Sequence, residues 1–427
     1  MNPGSAVVAE YLIETPLEPA RVAEIMAGEQ SCGTFTRVAG ESEELRRRAA
    51  ADVLRVEEIE PSALPSLPSA YLARRGVEGP WRRARVEIAF PLANIGRNLP
   101  TLAAIVAGNL YDLGEITGLR LLSLRMPDAF RSRFPGPVAG IGGTRDSVGT
   151  GQRPLFGTII KPNLGLSAEA TADLVEDLCE AGVDFIKDDE VNANSDHAPI
   201  EERVPAVMRR IRRHRDQTGR TVMMAFNITD EVDAMRRHAD LVEATGGTCV
   251  MASLNWCGLA AVEALRAATP LALHGHRNGF GAFARDPALG ISFRAYQALY
   301  RLTGLDHMHV HGLGGKFADF DEDVVDAARA CLEPVAVDGA ADDRVMPVFS
   351  SGQWAGTVAA TCEAVAGHDF MFLAGGGILA HPDGPAAGVA SLRQAFEAVE
   401  AGVPAKHYAE GAPELRRALD FFGPTLG

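Results

Sequence analysis

A lysine and three carboxylates stand side by side at Lys187-Asp188-Asp189-Glu190. At the end of a strand, alternation aims Lys187 and Asp189 to one side, and Glu190 can join them where the strand stops. Two carboxylates suit magnesium, a hard ion that takes oxygen ligands in an octahedron. A neutral amine is a poor ligand for that ion, but CO2 added to it gives a carbamate and so a third anionic oxygen. The same tetrapeptide also reads as a lysine ion-paired with its acidic neighbours, and these four residues alone leave both readings open.

Other residues of the chain could act beside it. Lys161 follows an apolar run, and His276-Arg277 sets a titratable ring beside a fixed cation. His307, His309 and His311 fall on one side of a strand by alternation. They read either as hydrogen-bonded packing residues or as ligands of zinc or iron. Lys316, in GLGGKF, stands on a Gly-rich stretch that could close over a ligand or simply be a solvated loop. Ser351-Gly352 and Gly375-Gly376-Gly377 could bring bare N–H groups against a phosphate, or serve as tight turns.

These residues share a position. From about residue 153 short apolar runs alternate eight times with helical stretches. The runs are LFGTIIK to Lys161, VDFIKDD to Asp189, TVMMAFN to Asn227, TCVMASLN to Asn255, PLALHGH to His276, LDHMHVH to His311, VMPVFSS to Ser351 and FMFLAGG to Gly376. Between them lie segments such as SAEATADLVEDLCEAG, PIEERVPAVMRRIRRHRDQTG, EVDAMRRHADLVEATG and FDEDVVDAARACLEP, several opening on a cap residue and closing on Gly. Eight such units predict a parallel (β/α)8 barrel, in which polar side chains at the C-terminal strand ends form the site. An open doubly wound sheet is the alternative, disfavoured because no Gly-rich dinucleotide fingerprint follows the first strand.

Ahead of the barrel, strands around VVAEYLIET and RARVEIAFPL and a helix over LPTLAAIVAGNLYDLGEI predict a smaller α+β domain. FPGPVAGIGGTRDSVGTGQRP is expected to cover the junction. Domains of 1–135 and 136–427 follow. Their total of 427 residues suits two cores. A net charge of −15 disfavours nucleic acid and anionic membranes as partners. No run of 18 apolar residues suggests a membrane helix. The N-terminus lacks a basic leader, and six scattered cysteines fit a reducing cytoplasm.

GTIIKPNLGLS, FIKDDE, LHGHR, DHMHVHGLGGK, SSGQ and GGGILAHP, in this order, resemble the large subunit of ribulose-bisphosphate carboxylase and its relatives, the RuBisCO-like proteins. The likeness extends to EQSCGTFT and AGNLYDLGEITGLRLLSLRMPDAF in the N-terminal part. It implies that Lys187 is the carbamylated lysine, that Asp189 and Glu190 complete a Mg2+ site, and that Lys161 moves protons at an enediolate. It further implies that His276 is the active-site histidine and that Lys316 rides the mobile sixth loop. Arg277, His309 and Ser351 would bind one phosphate, with Gly352 and Gln353 beside them, and Thr34, Gly375 and Gly376 another. Glu29 and Asn109 would be lent by a neighbouring subunit, making the protein a homodimer or higher homo-oligomer with its site at the subunit interface.

The departures from the family narrow the function. The second lysine of K-P-K is Asn163, and the threonine two positions before Lys161 is Ile159. The second histidine of H-R-x-x-H is Phe280, a tryptophan is Phe35, and one glycine of S-G-G is Gln353. After Lys316 the chain runs F-A-D-F-D. Proton-handling groups are lost and one phosphate end is crowded, so the resemblance implies an enediolate-forming enzyme that does not fix CO2. A decarboxylase of the 3-oxo-isoapionate-4-phosphate type is the expectation. An enolase or isomerase of methionine salvage is the alternative, and a non-catalytic sugar-phosphate sensor the alternative of another class.

Overall fold

Runs rich in Ile, Val and Phe crowd a helix but pack well on a pleated surface. In the computed structural model, which describes residues 3–32, 40–337, 339 and 342–426, they form strands. Along the chain these are β1 (Ala6–Thr15), β2 (Asp52–Ser62), β3 (Trp81–Pro91), β4 (Gly118–Arg125), β5 (Leu155–Ile159), β6 (Phe185–Lys187) and β7 (Met223–Asn227). They continue as β8 (Cys249–Ser253), β9 (Ala272–His276), β10 (Leu289–Ile291), β11 (His307–His309), β12 (Met346–Phe349) and β13 (Met371–Leu373). The chain divides into two units. One is Met1–Pro135 with Gly279–Thr303 and Pro334–Asp342, the other Gly136–Asn278 with Gly304–Glu333 and Asp343–Gly427.

The first unit is built on a sheet of order β10-β4-β1-β3-β2. The central strand β1 pairs antiparallel with β3 and β4, and its buried Tyr11 donates from its hydroxyl to the Val106 carbonyl at 2.8 Å. The runs VVAEYLIET and RARVEIAFPL become β1 and β3. Sequence reading did not find β2, an edge strand whose residues are half-buried or exposed and therefore lack the alternation that marks a strand. The expected helix over LPTLAAIVAGNLYDLGEI is shorter, Leu99–Ala107, followed by a 3-10 turn Asn109–Asp112. Gly108 breaks it, in a backbone conformation where an added Cβ would lie 2.3 Å from the Ala104 carbonyl oxygen.

The second unit is a closed parallel barrel in the order β11-β12-β13-β5-β6-β7-β8-β9. Alternation sends every second side chain inward. Leu155, Phe185, Met223, Cys249, Ala272, Met346 and Met371, at or next to the strand starts, pack with Ala225, Met251, Val348 and Leu373 as an apolar interior. The same inward rows continue to polar residues at the other end, from Phe185 to Lys187, from Ala225 to Asn227 and from His274 to His276. At β5 the row needs Gly157, where a Cβ would come within 2.3 Å of the Phe185 carbonyl oxygen. The predicted junction loop instead contains the helix Gly140–Val148. Asp306 accepts from the N–H groups of Ala139 and Gly140 at 2.7 and 2.8 Å, and Ile141 joins the interior at the end where the strands begin.

The connecting helices lie where caps and periodicity put them. Ala168–Ala181 opens on Ser167, whose hydroxyl accepts from the Ala170 N–H, and closes on Gly182 at φ 89°. Val232–Ala244 opens on Glu231 in the same way. Several strands end earlier than their apolar runs: β5 stops at Ile159, β6 at Lys187, β11 at His309 and β12 at Phe349. The polar residues that follow belong to loops. Among the described residues no helix is long and apolar enough to cross a membrane.

Candidate active site

Lys187, the last residue of β6, is fully buried, with its Nζ 3.5 Å from Glu190 Oε2. Burial pulls its pKa below the usual lysine value, against the upward pull of Glu190, Asp189 and Asp188. Burial thereby favours the neutral amine, which is the form that adds CO2. Glu190 is pushed up by burial, but Lys187 and Lys161 outweigh this and hold the carboxyl below its ordinary range. Lys161 donates to Asp189 Oδ2 at 2.6 Å and to Asn163 Oδ1 at 2.7 Å. His276 Nε2 lies 3.6 Å from Glu190 Oε2. Lys161, Lys187, Asp189, Glu190 and His276 thus form one connected group at the strand ends.

Among the described residues no three His, Cys, Asp or Glu side chains are placed to hold a metal. Asp189 and Glu190 supply two anionic donors, and a carbamate on the neighbouring Lys187 would supply the third that a hard divalent ion requires. The donor chemistry fits magnesium on that condition.

The residues that hold this group in place were not identified from sequence. Asp188 points the other way along the strand, is fully buried, and pairs with the equally buried Arg203 at 3.2 Å. Its Oδ2 also accepts the Asn227 N–H at 3.0 Å. Arg203 donates further to the carbonyls of Ala198 and Ala193, at 2.5 and 2.6 Å. The Asn227 amide donates to the carbonyls of Asp189 and Glu190, each at 3.1 Å. The backbone carrying the two carboxylates is therefore pinned from below. One signal was available, since Arg203 falls on the apolar face of its helix with Ile200, Val204, Val207 and Ile211.

The histidines are engaged with one another. Thr144 donates its hydroxyl proton to the Gly140 carbonyl at 2.5 Å, so it can only accept from His307 Nε2, 2.8 Å away. His307 Nδ1 must then be the bare nitrogen that accepts from His274 Nδ1 at 3.3 Å. His274 Nε2 in turn accepts from His309 Nε2 at 2.7 Å, and His309 Nδ1 accepts from the Ser350 hydroxyl at 3.1 Å. One direction of donation satisfies all three rings in the neutral state. Burial favours that state, holding His274 and His309 well below the usual histidine range and His307 at about 4. Every nitrogen of these three rings already has a hydrogen-bond partner, which leaves none of them free for a transition metal. His276 packs its ring on His309 with centroids 4.3 Å apart, and its Nδ1 accepts the Asn278 N–H at 3.2 Å. Its proton therefore sits on Nε2, toward Glu190.

His311 departs from the expected row. It lies beyond β11 at φ 70° and pairs with Asp319. Arg277 donates to the same Asp319 at 2.9 Å and to the Val310 carbonyl at 3.3 Å. Ser351 also has a left-handed backbone, φ 76°, and its buried hydroxyl has no hydrogen-bond partner among the described residues. Gln353 donates to the carbonyls of Leu313 and Ser351 at 3.1 and 3.0 Å. Its side chain lies against Gly312, where a Cβ would meet Gln353 Nε2 at 2.1 Å. Gln353 thus ties the base of the Lys316 loop to the β12 loop. A Cβ at Gly352 would meet the Lys316 nitrogen at 3.4 Å.

Lys316 itself is exposed, its Nζ 5.4 Å from the Phe317 ring centre. Gly375 and Gly376 open the short helix Gly375–Leu379, and a Cβ on either would meet nothing within 4 Å, so no neighbour crowds them on that side. In the first unit, Glu29 ends the helix Pro19–Glu29 and meets Asn109 Nδ2 at 3.5 Å, both side chains exposed. Phe280 packs with Phe293 and Tyr296, which leaves an apolar cluster where a histidine was missing. Thr34 and Phe35 lie outside the described residues.

Comparison with known proteins gives this geometry a context. Residues 140–422 match the ribulose bisphosphate carboxylase large chain, catalytic domain, and residues 2–130 match its N-terminal domain. The chain is 46% identical to the 3-oxo-isoapionate-4-phosphate transcarboxylase/hydrolase of Xanthobacter autotrophicus, over 97% of this chain and 99% of that one. It is 41% identical to the 3-oxo-isoapionate-4-phosphate decarboxylase of Rhizobium etli, over 99% and 100%. The crystal structure of a rubisco-like protein from Burkholderia fungorum superposes with a TM-score of 0.93 at 63% identity, covering 98% of this chain and 100% of that one.

Proposed function

Because this chain belongs to the ribulose bisphosphate carboxylase large-chain family, among its RuBisCO-like members, we propose that it decarboxylates a phosphorylated β-keto sugar acid of the 3-oxo-isoapionate 4-phosphate type through an enediolate. The observation that carries the reading is Lys161, a proton donor held 2.6 Å from Asp189, next in the chain to Glu190, which pairs with the buried Lys187. Magnesium, held by Asp189, Glu190 and a carbamate on Lys187, would supply fixed positive charge where two neighbouring substrate oxygens gain negative charge.

Loss of CO2 breaks the bond between the carboxyl carbon and its neighbour, and leaves the electron pair on the enediolate. One proton must then reach that carbon. Lys161 is positioned to deliver it, since Asp189 and Asn163 hold its ammonium in one place. Asn163 therefore anchors Lys161 where the carboxylases carry a second lysine. His276, neutral with its proton on Nε2, can donate a hydrogen bond to a substrate oxygen. Lys316 would close over the departing carboxylate, and Gly375 and Gly376 would offer N–H groups to the phosphate.

A homodimer or larger assembly in the cytoplasm belongs to the same reading, with the exposed Glu29 and Asn109 completing a neighbour's site. The six cysteines, all free of disulfides, suit that compartment. Replacing Lys161 with Met is expected to lower turnover by about 10²- to 10⁴-fold while substrate affinity changes far less, the pattern of a lost proton donor. Steady-state kinetics beside ligand titration distinguishes this from a binding defect, in which KM alone would rise.

The direct experiment uses 3-oxo-isoapionate 4-phosphate carrying ¹³C in its carboxyl group, with magnesium and bicarbonate in D2O. Labelled CO2 with one deuterium on the adjoining carbon of the product is the expected result. Label retained in an organic acid would establish a transcarboxylase/hydrolase, the second reading, which the 46% identical relative favours. Deuterium exchange into 2,3-diketo-5-methylthiopentyl 1-phosphate without any turnover of the sugar acid would replace the proposal with an enolase.

A further inference from the structure

The basic side chains at one end of the site are already paired within the chain. Arg277 donates to Asp319 Oδ2 at 2.9 Å, and His311 meets the same oxygen. Asp319 lies three residues after Lys316, and the Phe317 ring packs on His311 with centroids 4.5 Å apart. The segment is held at its start as well, where Asp321 accepts the Gly314 N–H at 2.9 Å and Gln353 donates to the Leu313 carbonyl. His309, the other basic residue expected to bind phosphate there, has Nε2 committed to His274 and Nδ1 to Ser350.

Charge decides what this end can accept. A phosphate brings close to two negative charges and needs several donors to replace its water. Arg277 offers one positive charge, which Asp319 cancels, and His309 is a neutral ring with both nitrogens in use. A phosphate placed here would face the Asp319 carboxylate at close range.

We propose that Asp319 is a specificity determinant that fills the Arg277–His311 pair from inside the chain. The site then takes substrates with a single phosphate, bound away from Arg277, and receives an uncharged hydroxylated end at Arg277. Bisphosphates are rejected by an acidic side chain in addition to lacking some contacts. The proposal rests on the reading that the barrel mouth is the substrate site, but not on which reaction occurs there.

The test is a calorimetric titration of the magnesium- and bicarbonate-treated protein with ribulose 1,5-bisphosphate and, separately, ribulose 5-phosphate. Asp319→Asn keeps the shape of the side chain and removes its charge. It is expected to bind the bisphosphate about tenfold more tightly than the unaltered chain, with less than about a threefold change for the monophosphate. Glu322→Gln, which alters net charge equally at an exposed position of the same segment, should leave both affinities unchanged. Arg277→Ala combined with Asp319→Asn should abolish the gain. Equal bisphosphate affinity in the unaltered chain and Asp319→Asn overturns the proposal, as does an equal gain in Glu322→Gln or a gain that survives loss of Arg277. Turnover enters none of these readings, so a failed decarboxylation assay leaves the result interpretable.

Discussion

Replacing Lys187 with alanine is expected to lower kcat/KM by about 10³-fold or more and to abolish magnesium-dependent binding in the same step. The side chain is fully buried at the end of β6, 3.5 Å from Glu190, and its burial works against the ammonium form. Burial thus favours the neutral amine, the form that adds CO2, while Asp189 and Glu190 alone leave a hard divalent ion short of anionic oxygens. Circular dichroism and thermal unfolding establish that the variant folds, and titration with Mg2+ and with Mn2+ as a spectroscopic substitute measures the site. A sugar-phosphate sensor would keep its ligand affinity when Lys187 is removed. Retained turnover, or retained magnesium affinity, would remove Lys187 from the site.

How far the sequence carried these conclusions depended on the range of the interactions involved. The barrel was legible because apolar runs and capped helices repeat eight times, a local signal. The exact strand ends were not, since Lys161, His311 and Ser351 continue the pattern after the hydrogen-bond ladder has stopped. The pairing of β10 with β4 joins Leu289–Ile291 to Leu119–Leu121, far apart in sequence, and no local pattern announces it.

The same division runs through the site. Lys187, Asp189 and Glu190 are neighbours along one strand end, so alternation relates them directly. The histidine chain gathers His274, His307 and His309 from two strands, and its direction follows from the Thr144 hydroxyl on a helix before the barrel. Counting histidines left packing residues and metal ligands both open, while the geometry makes them mutual partners. Arg277 and Gln353 show the same limit. Both matched positions of a phosphate site, yet one is paired with Asp319 and the other anchors a loop, because side-chain partners are set by tertiary packing and residue type leaves them open.

Asp188 gives the second large effect, because nothing about its charge is exposed. Both it and Arg203 are fully buried, and the pair ties the Arg203 helix to the segment carrying Asp189 and Glu190. Arg203→Ala would leave the Asp188 carboxylate without its counter-charge and remove the donors to the Ala193 and Ala198 carbonyls. Burial already pushes the Asp188 pKa up against the pull of Arg203, so its protonated form should gain further once the guanidinium is gone. A loss of about 3–5 kcal/mol in urea unfolding is expected, the cost of breaking a buried pair from one side. Asp188→Asn combined with Arg203→Met should recover much of it, since no unpaired charge is then buried. Magnesium affinity should fall in Arg203→Ala even under conditions where the protein remains folded, because the backbone beneath both carboxylates is released. A destabilisation below about 1 kcal/mol, comparable with an exposed ion pair, would show that water or a neighbouring group compensates Asp188, and that the pair does not hold the site in place.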